Sequence, residues 1–142
     1  MPRAIQFSAI VERLAPEVPR FIVYSGKPWG ETETFIIDVR IDGCAVGWRS
    51  LVPWKERGWS FGVTDAMCKR LAIDTGALVT VDMTRVDDPR VPELREFLEK
   101  NSMAMNCFDR LSPAQRRAFC LEVADAKSSE TRIRRASRLL NR

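Results

Sequence analysis

The sequence predicts an α+β protein in which antiparallel strands, interrupted by one short helix, precede a helical C-terminal part. Three observations predict this class. Apolar and polar residues alternate in Thr34–Asp42, the period changes to that of a helix at Thr64 or Asp65, and no strand pattern follows Arg90. We therefore predict two parts, residues 1–90 and residues 91–142, packed as one unit.

The strands before residue 90 are predicted from period-two alternation bounded by turn residues. Asp42-Gly43 is the favoured kind of two-residue hairpin turn, because Gly readily adopts, and Asp tolerates, a positive φ. Pro53 is expected to end the strand that follows this turn. Six strands result: Ile5–Leu14, Arg20–Tyr24, Thr34–Asp42, Cys44–Val52, Trp59–Val63 and Ala77–Thr84.

Helices are predicted from capping residues and from apolar positions three and four apart. The inserted helix begins after Thr64 or Asp65 and ends at Asp74-Thr75-Gly76. In the C-terminal part, Pro92 suits a first helical position, and Ser112 with Gln115 forms a capping box. Further starts are expected at Ser102 and at Ser128 or Ser129, and the last helix places Ile133, Ala136 and Leu140 on one side.

Composition excludes several kinds of chemistry. The 142 residues include no histidine, so imidazole acid/base catalysis, Ser-His-Asp and Cys-His nucleophiles and the H-E-x-x-H zinc site are ruled out. The scattered cysteines Cys44, Cys68, Cys107 and Cys120 form no C-x-x-C pair and are expected to be buried free thiols; a lowered pKa for Cys68 is the alternative. No catalytic residue, cofactor or metal site is predicted. Without a signal-peptide run or a span of about 20 apolar residues, a cytoplasmic protein with no membrane contact is expected.

Two stretches carry a family resemblance. The hairpin IDGCAVGWRSLVPW and the tail LSPAQRRAFCLEVADAKSSETRIRRASRLL, with Phe7 and Ala9 near the start, resemble a prokaryotic family, the YdeI/OmpD-associated or bacteriocin-protection group. Members of this group begin with a barrel-like domain of unknown function. The resemblance implies that the six mostly antiparallel strands form a small, double-split-like β-barrel of the bacterial cytoplasm, followed by the helical subdomain.

The same hairpin carries the first predicted binding site. Arg49 offers a planar fork of donors, and indole rings cover such a guanidinium well, which favours an anion-binding mouth. The alternative is that Arg49 pairs with Asp38 or Asp42 while the tryptophans lie in the core. The predicted ligand-binding residues are Trp48, Arg49, Ser50, Trp54 and Lys55.

The last helix carries the second predicted site. Thr131–Arg142 contains five arginines and no acidic residue, and one face gathers Arg134, Arg135, Arg138 and Arg142. This face is predicted to bind nucleic acid through phosphates, or a partner. The alternatives are a solvated face and one that docks onto Asp87 and Asp88.

The leading hypothesis from the sequence is a non-catalytic binding module that recognises a small anionic ligand or a protein partner. The resemblance links it to bacteriocin protection. A nucleic-acid-associated protein is the second hypothesis, and an unknown enzyme is the third. The oligomeric state is open, since the apolar stripe of the last helix closes either on its own barrel or on a second subunit.

Overall fold

Six antiparallel strands and one short helix form the first part of the chain, and helices alone form the rest. The structure is a computed structural model that describes residues 4–141. It contains two compact units, Met1–Val86 and Asp87–Arg142. The predicted α+β class is confirmed, whereas the predicted domain limits at residues 90 and 91 stay a prediction.

The strands form a nearly closed barrel in the order β1-β6-β3-β4-β5-β2. Glu12, two residues after the end of β1, forms an antiparallel bridge with Phe21 of β2, and the two backbone hydrogen bonds of this bridge measure 2.9 and 3.0 Å. The barrel that the family resemblance implies is therefore present. The strands are β1 (Ile5–Ile10), β2 (Arg20–Tyr24), β3 (Phe35–Ile41), β4 (Cys44–Trp54), β5 (Gly58–Val63) and β6 (Leu78–Arg85).

The barrel interior follows the predicted alternation. On β3 the side chains of Phe35, Ile37, Val39 and Ile41 are buried in the core. On the outer face Asp38 and Arg40 are exposed, whereas Ile36 is buried as well. Each fully buried aliphatic side chain of this kind contributes about 1.5–3 kcal/mol. β4, β5 and β6 supply the facing residues, which include Leu51, Phe61, Val63, Val79, Val81 and Met83.

The turn between β3 and β4 has the predicted two-residue form. Ile41 pairs with Cys44, and the φ angles of Asp42 and Gly43 are 50° and 81°. Positive φ at both central residues is the type I′ geometry, whose twist matches that of the strands. Local sequence was therefore sufficient to predict this hairpin.

β4 is longer than predicted, because it continues through Pro53 to Trp54. Pairing with β3 ends at Leu51, and the last three residues of β4 pair with β5 instead. One side of β4 therefore has no partner strand at Pro53, and proline is tolerated at such a position. A bulge opposite Val39 and Arg40, with Gly47 at φ 98°, further bends this long strand.

The helix α1 (Asp65–Leu71) begins as predicted and ends earlier. The Thr64 hydroxyl accepts a hydrogen bond from the Met67 amide at 3.2 Å. At the other end Ala72 adopts the left-handed conformation with φ 55°, and Cys68 and Lys69 carbonyls accept the capping amides. Such a C-cap stops the helix before the predicted Asp74-Thr75-Gly76.

The second unit consists of four α-helices and a terminal 3₁₀ turn. The Ser112–Gln115 capping box is present, with hydrogen bonds of 3.1 and 2.8 Å, and the Ser128 hydroxyl accepts from the Thr131 amide at 3.2 Å. No helix between residues 4 and 141 has the length and hydropathy that crossing a bilayer requires. The elements are α2 (Pro92–Lys100), α3 (Ser102–Arg110), α4 (Pro113–Ala124), α5 (Ser129–Ala136) and the turn Ser137–Asn141.

The apolar stripe predicted for the last helix is wrong at two of its three residues, Ile133 and Leu140. Ala136 is buried as expected, but Leu140 is 42 % exposed, Ile133 is 50 % exposed and Leu139 is fully buried. The chain tightens into 3₁₀ geometry after Ala136, where residues three apart lie above one another. Leu139 therefore takes the inward position that α-helical spacing assigns to Leu140.

Candidate functional site

Arg49 lies on the inner face of β4. It stands opposite Ile37, a core residue, and directly opposed residues share a face of the sheet. Its Nη1 donates to the carbonyl of Trp48 at 2.8 Å, and its Nη2 lies 3.4 Å from Sδ of Met67 in α1. The guanidinium is half-buried between a strand and the inserted helix.

The other predicted ligand-binding residues lie elsewhere on β4 and its turn. Trp48 and Ser50 have the opposite parity to Arg49 and stand opposite Asp38 and Ile36 on the outer face. Lys55 is exposed in the turn after β4. The structure thus separates Arg49 from its predicted neighbours, and the anion-binding mouth stays a prediction.

Trp29 and Trp59 pack against one phenyl ring, whereas Trp54 packs against other groups. Trp59 is buried, and its ring meets the edge of Phe35 at a centroid distance of 5.5 Å; Trp29 meets the same phenyl ring at 6.0 Å. Trp54 packs on Phe21 at 5.3 Å and beneath the Arg57 guanidinium at 5.2 Å. Core packing and surface stacking therefore account for these three rings.

A groove of about 680 Å³ beside α1 is lined by charges of both signs. At its base Arg20 bridges Asp65 and Asp74, with N–O distances of 2.8 Å to each. Another lining side chain, Arg13, donates to the backbone carbonyls of Pro16 and Val18. The carboxylates of Asp65 and Asp74 themselves line the groove, together with Lys69, so the groove is less suited to an outside anion than a site that no carboxylate lines.

The cysteines are more varied than predicted. Cys68 and Cys120 are buried, Cys107 is half-buried and Cys44 is exposed at the start of β4. Burial raises the pKa of Cys68, although Arg20 opposes this, and burial raises the pKa of Cys120 to about 11. A lowered pKa for Cys68 is therefore not found.

Thiol reactivity is expected to follow this burial. In the native protein, Ellman's reagent should modify Cys44 first, and Cys68 and Cys120 at least about a hundredfold more slowly, because a buried, protonated thiol is a poor nucleophile. Counting thiols released with and without denaturant measures this. Cys44→Ser should remove the fastest phase and leave the reaction of the half-buried Cys107 ahead of the two buried thiols. Rapid modification that survives Cys44→Ser together with Cys107→Ser would show that a buried thiol is accessible.

A cleft of about 280 Å³ in the second unit brings together basic side chains that are far apart in sequence. Arg90 comes from the segment before α2, and Arg116 and Arg117 come from the first half of α4. All three guanidinium-bearing residues are half-buried. Apolar groups supply the rest of the lining, namely Phe108, Cys120, Pro89 and Pro113. We call this feature the arginine cleft.

Two of the three arginines are held by protein groups. Nε and Nη2 of Arg90 donate to the two carboxylate oxygens of Asp88 at 3.0 and 3.1 Å. Arg116 Nη1 donates to the carbonyls of Leu111, at 2.9 Å, and Asp109 at the end of α3. Among residues 4–141, no side-chain hydrogen bond or ion pair is found for Arg117.

The charged residues that line the arginine cleft are all basic. No carboxylate lines the cleft. Asp88, which lies outside the lining, forms an ion pair with Arg90. The hydrogen bond from Arg90 lowers the pKa of Asp88, and the carboxylate in turn raises the pKa of Arg90. Cys120 remains a neutral thiol. The cleft therefore presents fixed positive charge above an apolar floor.

The sequence does not predict this cleft, because its arginines come from segments that are distant in the chain. The pair Arg116-Arg117 was part of the family-like tail, but Arg90 was interpreted only as the end of a strand region. Nothing in the spacing indicates that the segment before α2 lies beside α4. A basic pair immediately after a capping box was the one available signal.

The arginine face of α5 is used largely within the protein. Arg135 donates to the Glu122 carbonyl at 2.7 Å, and Arg138 pairs with the Glu122 carboxylate at 2.6 Å. Arg134 is exposed, and Arg142 lies outside the described residues. Asp88, one of the two carboxylates named for the alternative docking, binds Arg90 and approaches Arg95 at 3.9 Å.

Arg132, which was not predicted as a site residue, is the most heavily bonded arginine of α5. It donates to the carbonyls of Ala124 and Ala126 at 3.2 and 3.0 Å and lies 3.4 Å from a carboxylate oxygen of Glu93. The Ser129 hydroxyl and Arg132 both lower the pKa of Glu93. This side chain satisfies carbonyls at the C-terminal end of α4, where a cation is favourable.

Within the described part of the chain, no three side chains of the metal-binding types lie together. Residues 88–142 match the family model described as "Bacteriocin-protection, YdeI or OmpD-Associated". This match confirms the predicted family resemblance for those residues, and they include every residue that lines the arginine cleft. No curated protein sequence matches the chain.

Proposed function

We propose that this protein is a non-catalytic binding module of the bacterial cytoplasm that recognises a small anionic ligand in the arginine cleft. One observation carries the proposal: three half-buried arginines converge on a concave site that no carboxylate lines. Arginine donates charge-assisted hydrogen bonds to carboxylates and phosphates in a planar fork. An anion is the ligand class that such a site complements.

The packing around the cleft supports this function. Asp88 orients Arg90, and the carbonyls at the end of α3 orient Arg116, so two guanidinium groups are held in place before a ligand arrives. Pre-positioned groups reduce the entropy that binding must overcome. The Arg117 guanidinium, which has no partner among residues 4–141, supplies donors that a ligand can take.

The other functions have less support. The nucleic-acid alternative relies on Arg134, Arg135, Arg138 and Arg142, but two of these bind Glu122. A protein partner remains a second candidate for the exposed part of that face. A role in bacteriocin protection rests on the family match alone. The cytoplasmic location is part of the proposal and is tested by cell fractionation.

The test is calorimetric titration of the full chain with acetate, sulfate and inorganic phosphate. We expect saturable binding of at least one of these anions, and Arg117→Gln should weaken it by about tenfold or more, since a hydrogen bond to a charged group contributes about 1.5–3 kcal/mol. The ligand should be recovered unchanged.

The matched control is Arg134→Gln, which removes the same charge from an exposed position outside the cleft. Binding should survive this substitution with less than about a twofold change. Equal losses in the two variants would mean that net charge alone attracts the anion, and the proposed site would then be wrong.

A further inference from the structure

The lining of the arginine cleft has two chemically distinct parts. Phe108 is 7 % exposed and Cys120 is 1 % exposed, so these groups form a floor, while the half-buried arginines form the rim. Phe108 is itself fixed by an edge contact with Phe119 at a centroid distance of 6.4 Å. A simple inorganic anion would use the rim and leave the apolar floor exposed to water.

The rigid groups of the cleft are flat or ring-shaped. Pro89 and Pro113 add two pyrrolidine rings to the phenyl ring of Phe108. Guanidinium planes also stack well on aromatic faces. A flat aromatic ring can therefore stack on the phenyl ring and on guanidinium planes, and an aliphatic group gains only the burial of its apolar surface.

The volume of the cleft suits a small ligand. About 280 Å³ lies just below the range of about 300–1,000 Å³ that is typical of sites for drug-sized ligands. One six-membered ring with one anionic substituent can be accommodated in such a space.

We propose that the ligand of the arginine cleft is a small aromatic anion: one aromatic ring, held against Phe108, that carries a carboxylate or phosphate group bound by Arg90, Arg116 and Arg117. This inference rests on the proposed function, since it assigns the ligand class of the same site. Burial of the ring on the floor supplies affinity, and the arginines supply orientation.

The experiment compares matched anions on the full chain. Benzoate is expected to bind about tenfold or more tightly than acetate, because its ring buries apolar area. It should bind severalfold more tightly than cyclohexanecarboxylate, which has a similar size but no flat ring, since an aromatic pair contributes about 0.5–1.5 kcal/mol beyond area burial. Phenyl phosphate against inorganic phosphate gives the same comparison for a phosphate group and shows which head group the arginines prefer. Amide chemical shifts of residues 108 and 120 locate the ligand.

Two variants separate the rim from the floor. Arg117→Gln should weaken benzoate about tenfold, whereas Phe108→Leu, which keeps an apolar side chain, should reduce the preference of benzoate over cyclohexanecarboxylate severalfold. The circular dichroism spectrum of each variant should match that of the wild type. Arg134→Gln is again the charge-matched control and should leave benzoate binding unchanged.

The outcomes are distinguishable. Equal affinity for benzoate and acetate, both weakened by Arg117→Gln, would overturn the aromatic inference and leave the proposed function standing. Cyclohexanecarboxylate binding as tightly as benzoate would overturn it as well. If no anion responds to Arg117→Gln, both the ligand class and the proposed function are wrong.

Discussion

Replacing Leu139 by alanine is expected to lower the free energy of unfolding by about 2–5 kcal/mol. Leu139 has no exposed surface, although it belongs to the terminal 3₁₀ turn and is followed by two residues of the described chain. The loss combines the transfer free energy of the removed methyl groups with the cavity they leave. Urea unfolding followed by circular dichroism measures it.

Leu140→Ala is the matched control, because it makes the same chemical change one residue later. Leu140 is 42 % exposed, so its substitution should change the free energy of unfolding by less than about 0.5 kcal/mol. The order of the two effects reports the 3₁₀ geometry. A larger loss for Leu140→Ala would show that the chain continues as an α-helix through residue 140.

Replacing Arg132 by methionine is expected to cost about 2–3 kcal/mol of unfolding free energy. The substitution keeps much of the apolar stem but removes donors to the carbonyls of Ala124 and Ala126 and the ion pair with Glu93. Hydrogen bonds that involve a charged group contribute about 1.5–3 kcal/mol, and the three bonds share one guanidinium. The midpoint of urea unfolding is the measurement.

Arg134→Met is the control for Arg132→Met, since it removes the same charge two residues away from an exposed side chain. Its effect should stay within about 0.5 kcal/mol. Equal stability of both variants would contradict the structural role of Arg132. That result would revive the hypothesis that the arginines of α5 are present to bind nucleic acid.

The elements that the sequence predicted well depend on neighbours in the chain. The Asp42-Gly43 turn needs positive φ at adjacent residues, and the Ser112–Gln115 box needs side chains that reach amides three residues away. The alternation on β3 requires only that one face be buried. Each of these features can be predicted from residues that are close together in the chain.

The predictions that failed depend on partners that are distant in sequence. Pro53 is tolerated because the pairing of β4 with β3 stops at Leu51. Leu139 is buried in place of Leu140 because the last turn has 3₁₀ geometry. Propensity and periodicity contain no information about either partner. The end of α1 at Ala72 likewise depends on a left-handed residue that composition does not favour.

The candidate site shows the same division. From the sequence alone come the α+β class, the hairpin, the helix starts, the absence of histidine chemistry and the family-like tail with its basic pair. Only the tertiary structure places Arg90 beside Arg116 and Arg117 at the cleft that Phe108 lines, and it puts the side chains of Arg49 and Trp48 on opposite faces of the sheet. The reason is physical: chain neighbours determine local backbone geometry, whereas a binding site is formed by side chains that only packing brings together.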